Sequence, residues 1–289
     1  NYIAIKKFTQ YSGDTGEKME TKKKKIGFIL NPYAGIGGKA GLKGSDNYKK
    51  IEKLLLEGCE RTASKRAESC MSKIADLTAS LVAGDKGLVG EKNFSILSAP
   101  GDMGEALLKK LKIPCDVVLC PKAHTSSAED TKLCAQIMKE QGVDLLVFCG
   151  GDGTARDICE AVGTDVTVLG IPAGVKMYSA CYACNPYQAG EMLAGWLEGK
   201  EMSYEMREVL DIEEKDLDSR NVSPQLYGFL EVLSDGKHLQ KAKELDLGSG
   251  ESATIIARAA ILRMEKDWVY IIGPGGTTWK IKELLCEND

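Results

Sequence analysis

The feature that most limits what this chain can fold into is the run Asp144-Leu145-Leu146-Val147-Phe148-Cys149, which ends abruptly in Gly150-Gly151-Asp152-Gly153-Thr154. Consecutive apolar residues bounded by turn residues predict a strand buried on both faces, as in a parallel sheet. Residues 155–162 after it predict a helix. A glycine turn at the carboxyl end of such a strand lets backbone N–H groups approach phosphate oxygens, because no Cβ intervenes. Asp152 stands among those glycines. A carboxylate there is suited to orienting a hydroxyl nucleophile, to accepting its proton or to holding Mg²⁺. The combination suggests phosphoryl transfer. The ordinary alternative is a plain strand-to-helix turn with Gly-Asp turn chemistry.

The same alternation runs through the first two thirds of the chain. Strands are expected at residues 26–30, 94–97, 116–120, 144–149 and 166–171. Amphipathic helical segments lie between them, at 48–57 with an irregular continuation past Ala63, then at 103–111 and 128–141. This pattern predicts an α/β, Rossmann-like domain: a parallel sheet with helices on both faces and ligands beyond the carboxyl ends of the strands. Asn31, Thr125, Asp152 and Pro172 follow four different strand ends, so one shared site is expected. Thr125 or Ser126 is also a candidate helix cap, with Glu129 completing a capping box. Asn185-Pro186 predicts a helix start, and Gly199 its end. From Met202 the pattern changes to strands at 204–212, 226–233 and 268–272, with helices at 252–266 and 279–285. The expected organisation is therefore a polar tail or tag over residues 1–25, with the natural start near Met19. An α/β nucleotide-binding domain over 26–199 and a β-rich second domain over 200–289 follow.

Composition removes several function classes. A net charge of -4 gives no broad basic surface for nucleic acid or anionic membrane. No apolar stretch approaches the roughly 20 residues of a membrane span. Asp14, Glu17 and Glu20 argue against a transit peptide, and no apolar segment near the start suggests secretion. Ten cysteines in a chain of 289 residues do not form a small disulfide framework, and Cys120, Cys149 and Cys159 read as small buried apolar residues. Cys181 and Cys184 form the one CxxC, and the chain has two histidines, so no metal ligands are assigned. A reduced cytoplasmic setting fits best, with a redox pair at Cys181 and Cys184 as the alternative.

Segments beyond the central loop carry a resemblance. Asn31-Pro32-Tyr33-Ala34-Gly35-Ile36-Gly37-Gly38-Lys39 follows the first strand, and Thr125-Ser126-Ser127-Ala128-Glu129-Asp130-Thr131 precedes a helix. Gly170-Ile171-Pro172-Ala173-Gly174-Val175-Lys176-Met177-Tyr178-Ser179-Ala180 follows the fifth strand, and Gly273-Pro274-Gly275-Gly276-Thr277-Thr278 lies near the end. Residues 150–154 match the GGDGT signature of NAD kinases, diacylglycerol and sphingosine kinases and phosphofructokinase-like relatives. Taken in order, the segments resemble the ATP-NAD/AcoX kinase family over about residues 26–285. Gly276 stands where a threonine is usual in that family. The resemblance implies a β-rich second domain, and family chains continue past the last motif, so this domain is expected to be incomplete at Asp289.

Two other glycine-loop readings are weaker. Gly35 to Ala40 fits a GxGxxA dinucleotide fingerprint, but no strand ends about 20 residues later with the acidic ribose ligand; Glu57 lies in a helical pattern. The Walker pattern fails at Tyr33 and Ala40.

The resemblance implies a kinase that moves the γ-phosphoryl of ATP, or of polyphosphate, to the 2′-hydroxyl of NAD, giving NADP, with Mg²⁺ bridging the donor phosphates. Asp152 would be the general base or would orient that hydroxyl. Gly150, Gly151, Gly153 and Thr154 would hold phosphate and ribose. Candidate contacts elsewhere are Asn31, Gly35, Gly37 and Gly38; Thr125, Glu129, Asp130 and Thr131; Pro172, Gly174 and Lys176; and Gly273, Gly275, Thr277 and Thr278. Arg156 either neutralises phosphate or pairs on its helix surface, and Lys176 is either a phosphate cation or a solvated lysine. A homo-oligomer is implied by the resemblance alone. The rival readings are a nucleotide-binding or sensing protein without turnover, and a kinase with a lipid or small polyol acceptor.

Overall fold

The computed structural model describes residues 23–36, 60–82, 94–120, 126–174, 177–211, 224–240, 250–265, 268–273 and 276–286. The central strand is the apolar run itself: β4 (Leu145–Gly150) is buried at all six positions. It pairs in parallel with β1 (Lys24–Leu30) on one side and β5 (Val168–Pro172) on the other. Removing each of its large apolar side chains from water contributes about 1.5–3 kcal/mol. Outside β1 lie β2 (Phe94–Ser98) and the short edge strand β3 (Asp116–Val117), also parallel. The sheet has seven strands in the order β3-β2-β1-β4-β5-β7-β6, where β6 is Ser203–Asp211 and β7 Gln225–Ser234. Among the described strands of this sheet only the β6–β7 pair is antiparallel.

Seven α-helices are described: α1 (Thr62–Val82), α2 (Glu105–Lys110), α3 (Ala128–Glu140), α4 (Asp152–Val162), α5 (Pro186–Leu197), α6 (Gly250–Ile261) and α7 (Gly276–Cys286). Their starts follow local chemistry. Asn185 caps α5 by accepting the Gln188 N–H at 2.9 Å, with Pro186 in the first turn. Ser127, not Thr125 or Ser126, caps α3 in a capping box completed by Asp130 rather than Glu129. An N-cap needs extended backbone, which Ser127 has at φ -81 and ψ 173, whereas Ser126 is left-handed at φ 55. The expected helix at 48–57 lies outside the described residues.

The chain's contacts divide it into two compact units, Asn1–Lys241 and Ala242–Asp289. Strands β6 and β7, which sequence pattern places in a separate domain beyond Gly199, extend the parallel sheet. The change of pattern at Met202 marks a switch from βα crossovers to a hairpin, which needs no break in the sheet. In the second unit the described residues form α6 and α7, and 268–273 has no regular secondary structure where a strand is expected at 268–272. Val269 and Ile271 there are 91% and 96% exposed. Likewise β3 stops at Val117, and Leu119 is 91% exposed. An apolar run becomes a strand only where a neighbour supplies its ladder.

Close packing depends on one glycine in β5. A Cβ on Gly170 would lie 2.5 Å from the Tyr182 ring and 2.6 Å from the Cys181 carbonyl oxygen. Gly170→Ala should therefore destabilise the protein by about 1–3 kcal/mol, read from urea unfolding. An unchanged unfolding midpoint would contradict this packing.

Candidate functional site

In the order β2-β1-β4-β5, the chain leaves β1 toward one edge of the sheet and β4 toward the other. Ligands in open α/β sheets bind outside the carboxyl ends of strands at such a switch point. The loops after β1, β4 and β5 meet there. Asn31 Nδ2 donates to Thr154 Oγ1 at 2.9 Å, while Asn31 Oδ1 accepts the Tyr33 N–H at 3.0 Å. Gly35 has φ +79, and a Cβ on it would lie 2.3 Å from the Ala173 carbonyl oxygen. The Ala173 N–H donates to the Gly150 carbonyl at 2.8 Å. A Cβ on Gly150 would meet Thr154 at 2.4 Å. Glycine at these places is a steric requirement of the convergence.

Asp152 opens α4, with Gly151 as the cap residue, and is 9% exposed. Its two carboxylate oxygens are held separately: Tyr178 N–H donates to Oδ2 at 2.8 Å and Ser179 N–H to Oδ1 at 2.9 Å. Burial pushes its pKa above the ordinary aspartate value; the Ser179 and Tyr178 groups that donate to it pull the other way, and the Asp211 charge adds a smaller upward push. A carboxylate raised toward working pH is a stronger proton acceptor.

Behind the loop, Tyr182 is fully buried, packs edge-on against Phe148 at 5.4 Å and donates its hydroxyl to the Gly151 carbonyl at 2.6 Å. Burial pushes the Cys149 thiol up to about 12, and Cys181 is pushed up by the same cause. Neither thiol is a nucleophile beside Asp152. Cys181 and Cys184 are both free thiols, the first buried and the second exposed.

The candidates from sequence fall in different parts of the chain. Asn31, Gly35, Gly150, Gly151, Asp152, Gly153, Thr154, Pro172 and Gly174 cluster at the strand ends. A Cβ on Gly174 would lie 3.5 Å from Gly151 Cα, so these two loops touch. Arg156 lies on α4 and pairs with Asp211 of β6 at 2.9 Å, with Tyr227 under its guanidinium at 5.5 Å. The guanidinium also lies close to the glycine loop: a Cβ on Gly153 would be 3.9 Å from its Nη2.

At the start of α3, Asp130 accepts the Ser127 N–H at 3.0 Å and Thr131 Oγ1 donates to the Ser127 carbonyl at 3.1 Å, so both stabilise the helix start. Glu129 beside them is exposed. In the second unit, Thr278 Oγ1 donates to the Gly273 carbonyl at 3.0 Å. Thr277 belongs to α7. Gly37, Gly38, Thr125, Lys176 and Gly275 lie outside the described residues.

Four further residues that are not among the sequence candidates border the site: Ser179, which lies within the segment quoted after the fifth strand, and Tyr182, Asp211 and Arg66. Arg66, on α1, donates through Nη1 to the carbonyls of Pro172 at 3.0 Å and Gly174 at 3.3 Å. A half-buried guanidinium is thereby fixed beside the loop after β5.

Among protein families, residues 26–201, more than half of the 289-residue chain, match the ATP-NAD kinase N-terminal domain. A comparison with curated proteins finds no significant match.

The raised Asp152 carboxyl has a consequence for stability. The folded state binds this proton more tightly than the unfolded chain, so its contribution is fully present below the unfolded value of about 4 and is lost as pH rises through the raised value. Asp152→Asn cannot titrate. Its stability relative to the parent protein, from urea midpoints between about pH 4 and 8, should rise with pH and then level off. A difference independent of pH, or one that falls, would contradict the burial argument.

Proposed function

The chain belongs to the ATP-NAD kinase family, and we propose that it transfers the γ-phosphoryl group of ATP, or a phosphoryl group of polyphosphate, to the 2′-hydroxyl of the adenosine ribose of NAD, giving NADP. The observation that carries this reading is the buried Asp152 carboxylate, held by two backbone N–H groups at the start of α4 and bordered by glycine loops from β1, β4 and β5. Phosphoryl transfer asks a protein mainly to position the reactants and balance charge.

In this reading Asp152 accepts the proton of the acceptor hydroxyl. The hydroxyl oxygen forms a bond to phosphorus, the bond from phosphorus to the bridging oxygen breaks, and the shortened donor leaves with that electron pair. The α4 N-terminus and the uncrowded amides of Gly151 and Gly153 face developing negative charge. Asn31 fixes Thr154, and Arg66 and Tyr182 hold the loops that border the base.

Among the described residues, no group of three or more His, Cys, Asp or Glu side chains is placed to hold a metal ion. Mg²⁺ would be carried to the site on the donor phosphates, where it neutralises charge. No described helix is long and apolar enough to cross a membrane.

Purified protein given NAD, ATP and Mg²⁺ should form NADP, and folded Asp152→Asn should lose about 10²–10⁴-fold in turnover. A variant with most of its activity would overturn the role of Asp152. ATP consumption that requires a lipid or polyol instead of NAD would overturn the acceptor.

A further inference from the structure

The two amides that hold Asp152 belong to a loop with no strand or helix of its own, residues 177–180. Its footing is β6. The Ala180 N–H donates to the Glu208 carbonyl at 3.0 Å. The Ser179 hydroxyl donates to the Leu210 carbonyl at 2.8 Å and accepts the Leu210 N–H at 3.0 Å. The β6–β7 register shifts between Val209 and Leu210, an irregularity of the bulge type. Leu210 keeps its partner Leu226 across that shift, but β6 is the edge strand of the sheet, so backbone groups on its outer side have no further strand to pair with. A single hydroxyl, 2% exposed, meets both groups of Leu210.

We propose that Ser179 is a positioning residue for Asp152: its backbone N–H holds one carboxylate oxygen, while its hydroxyl splices that loop to strand β6. This rests on the reading of Asp152 as the proton acceptor. It goes beyond that reading by making the geometry of the base depend on β6, which lies past the segment matching the ATP-NAD kinase N-terminal domain. Loss of the hydroxyl leaves Leu210 N–H and C=O without this partner and frees the loop. The carboxylate then keeps its burial but loses well-placed donors, so it should bind its proton more tightly. The ionisable groups coupled to it are Asp211 on β6 and Cys181 and Tyr182 on the adjoining segment. Arg156 is paired with Asp211, and burial pushes the ionisations of Cys181 and Tyr182 upward, so both are uncharged.

The test compares the parent protein with Ser179→Ala and with Ser179→Cys, which keeps the shape and a weak donor. Two readouts are used: steady-state kinetics across pH, and the Asp152 carboxyl titration by ¹³C NMR, assigned by its absence in Asp152→Asn. Ser179→Ala should lower kcat about tenfold near neutral pH with KM for NAD and ATP within about twofold, and should move the acid limb and the carboxyl titration upward together. Ser179→Cys should fall between the two. A fall in kcat with neither the limb nor the titration moved would mean ordinary loss of stability and would overturn the proposal, as would a titration and kcat equal to those of the parent.

The titration needs no turnover, so it still tests the Ser179 link if Asp152→Asn shows that the base is misassigned. Should neither variant fold, amide exchange in the parent protein decides. Protection of the Tyr178 and Ser179 amides that tracks Leu210 supports the splice, and exchange of the two loop amides independent of Leu210 overturns it.

Discussion

A carboxylate taken out of water must be held by hydrogen bonds or accept a proton, because its charge has little other support in a protein interior. Asp152 is in that position, and much of the first unit is arranged around it. Its oxygens need Tyr178 and Ser179 N–H. That need brings the segment after β5 across the end of β4, and Ala180 and Ser179 fasten the segment to β6. The antiparallel hairpin added to the parallel sheet is thus part of the support of the site.

The sheet order sets the second constraint. With β1, β4 and β5 side by side and parallel, their following loops leave in the same direction and compete for the same space. Gly35 and Gly150 resolve the competition where a Cβ would strike backbone or Thr154, and Gly170 lets Tyr182 cross β5 to reach the Gly151 carbonyl. Backbone can then approach a ligand closely, and the buried ring and hydroxyl of Tyr182 keep the turn from relaxing.

The parallel strands were legible because an apolar run followed by turn residues has few other interpretations. Asp152 and its glycines stand out as candidates for a related reason: residue type, spacing and place after a buried strand coincide, although a plain strand-to-helix turn has the same residues. Helix α1 shows in sequence only as an irregular continuation, since its buried stripe of Ala63, Ala67, Cys70, Met71 and Ile74 is largely of small residues that weaken the periodic signal. The α3 cap falls at Ser127, one or two residues past Thr125 and Ser126, because among adjacent hydroxyl residues and acids backbone conformation decides. Ser179, Arg66 and Tyr182 serve the site through contacts made to backbone, and such contacts carry no side-chain pattern in sequence. Local pattern shows the hairpin as two strands, but pairing of β7 with β5 is a long-range event that it does not encode.

The most direct measurement is a structure of the protein with NAD bound. It should place the 2′-hydroxyl oxygen of the adenosine ribose about 2.6–3.2 Å from an Asp152 carboxylate oxygen, with the loops after β1 and β5 on either side. NAD bound with that ribose away from Asp152, or at another surface of the molecule, would contradict the account.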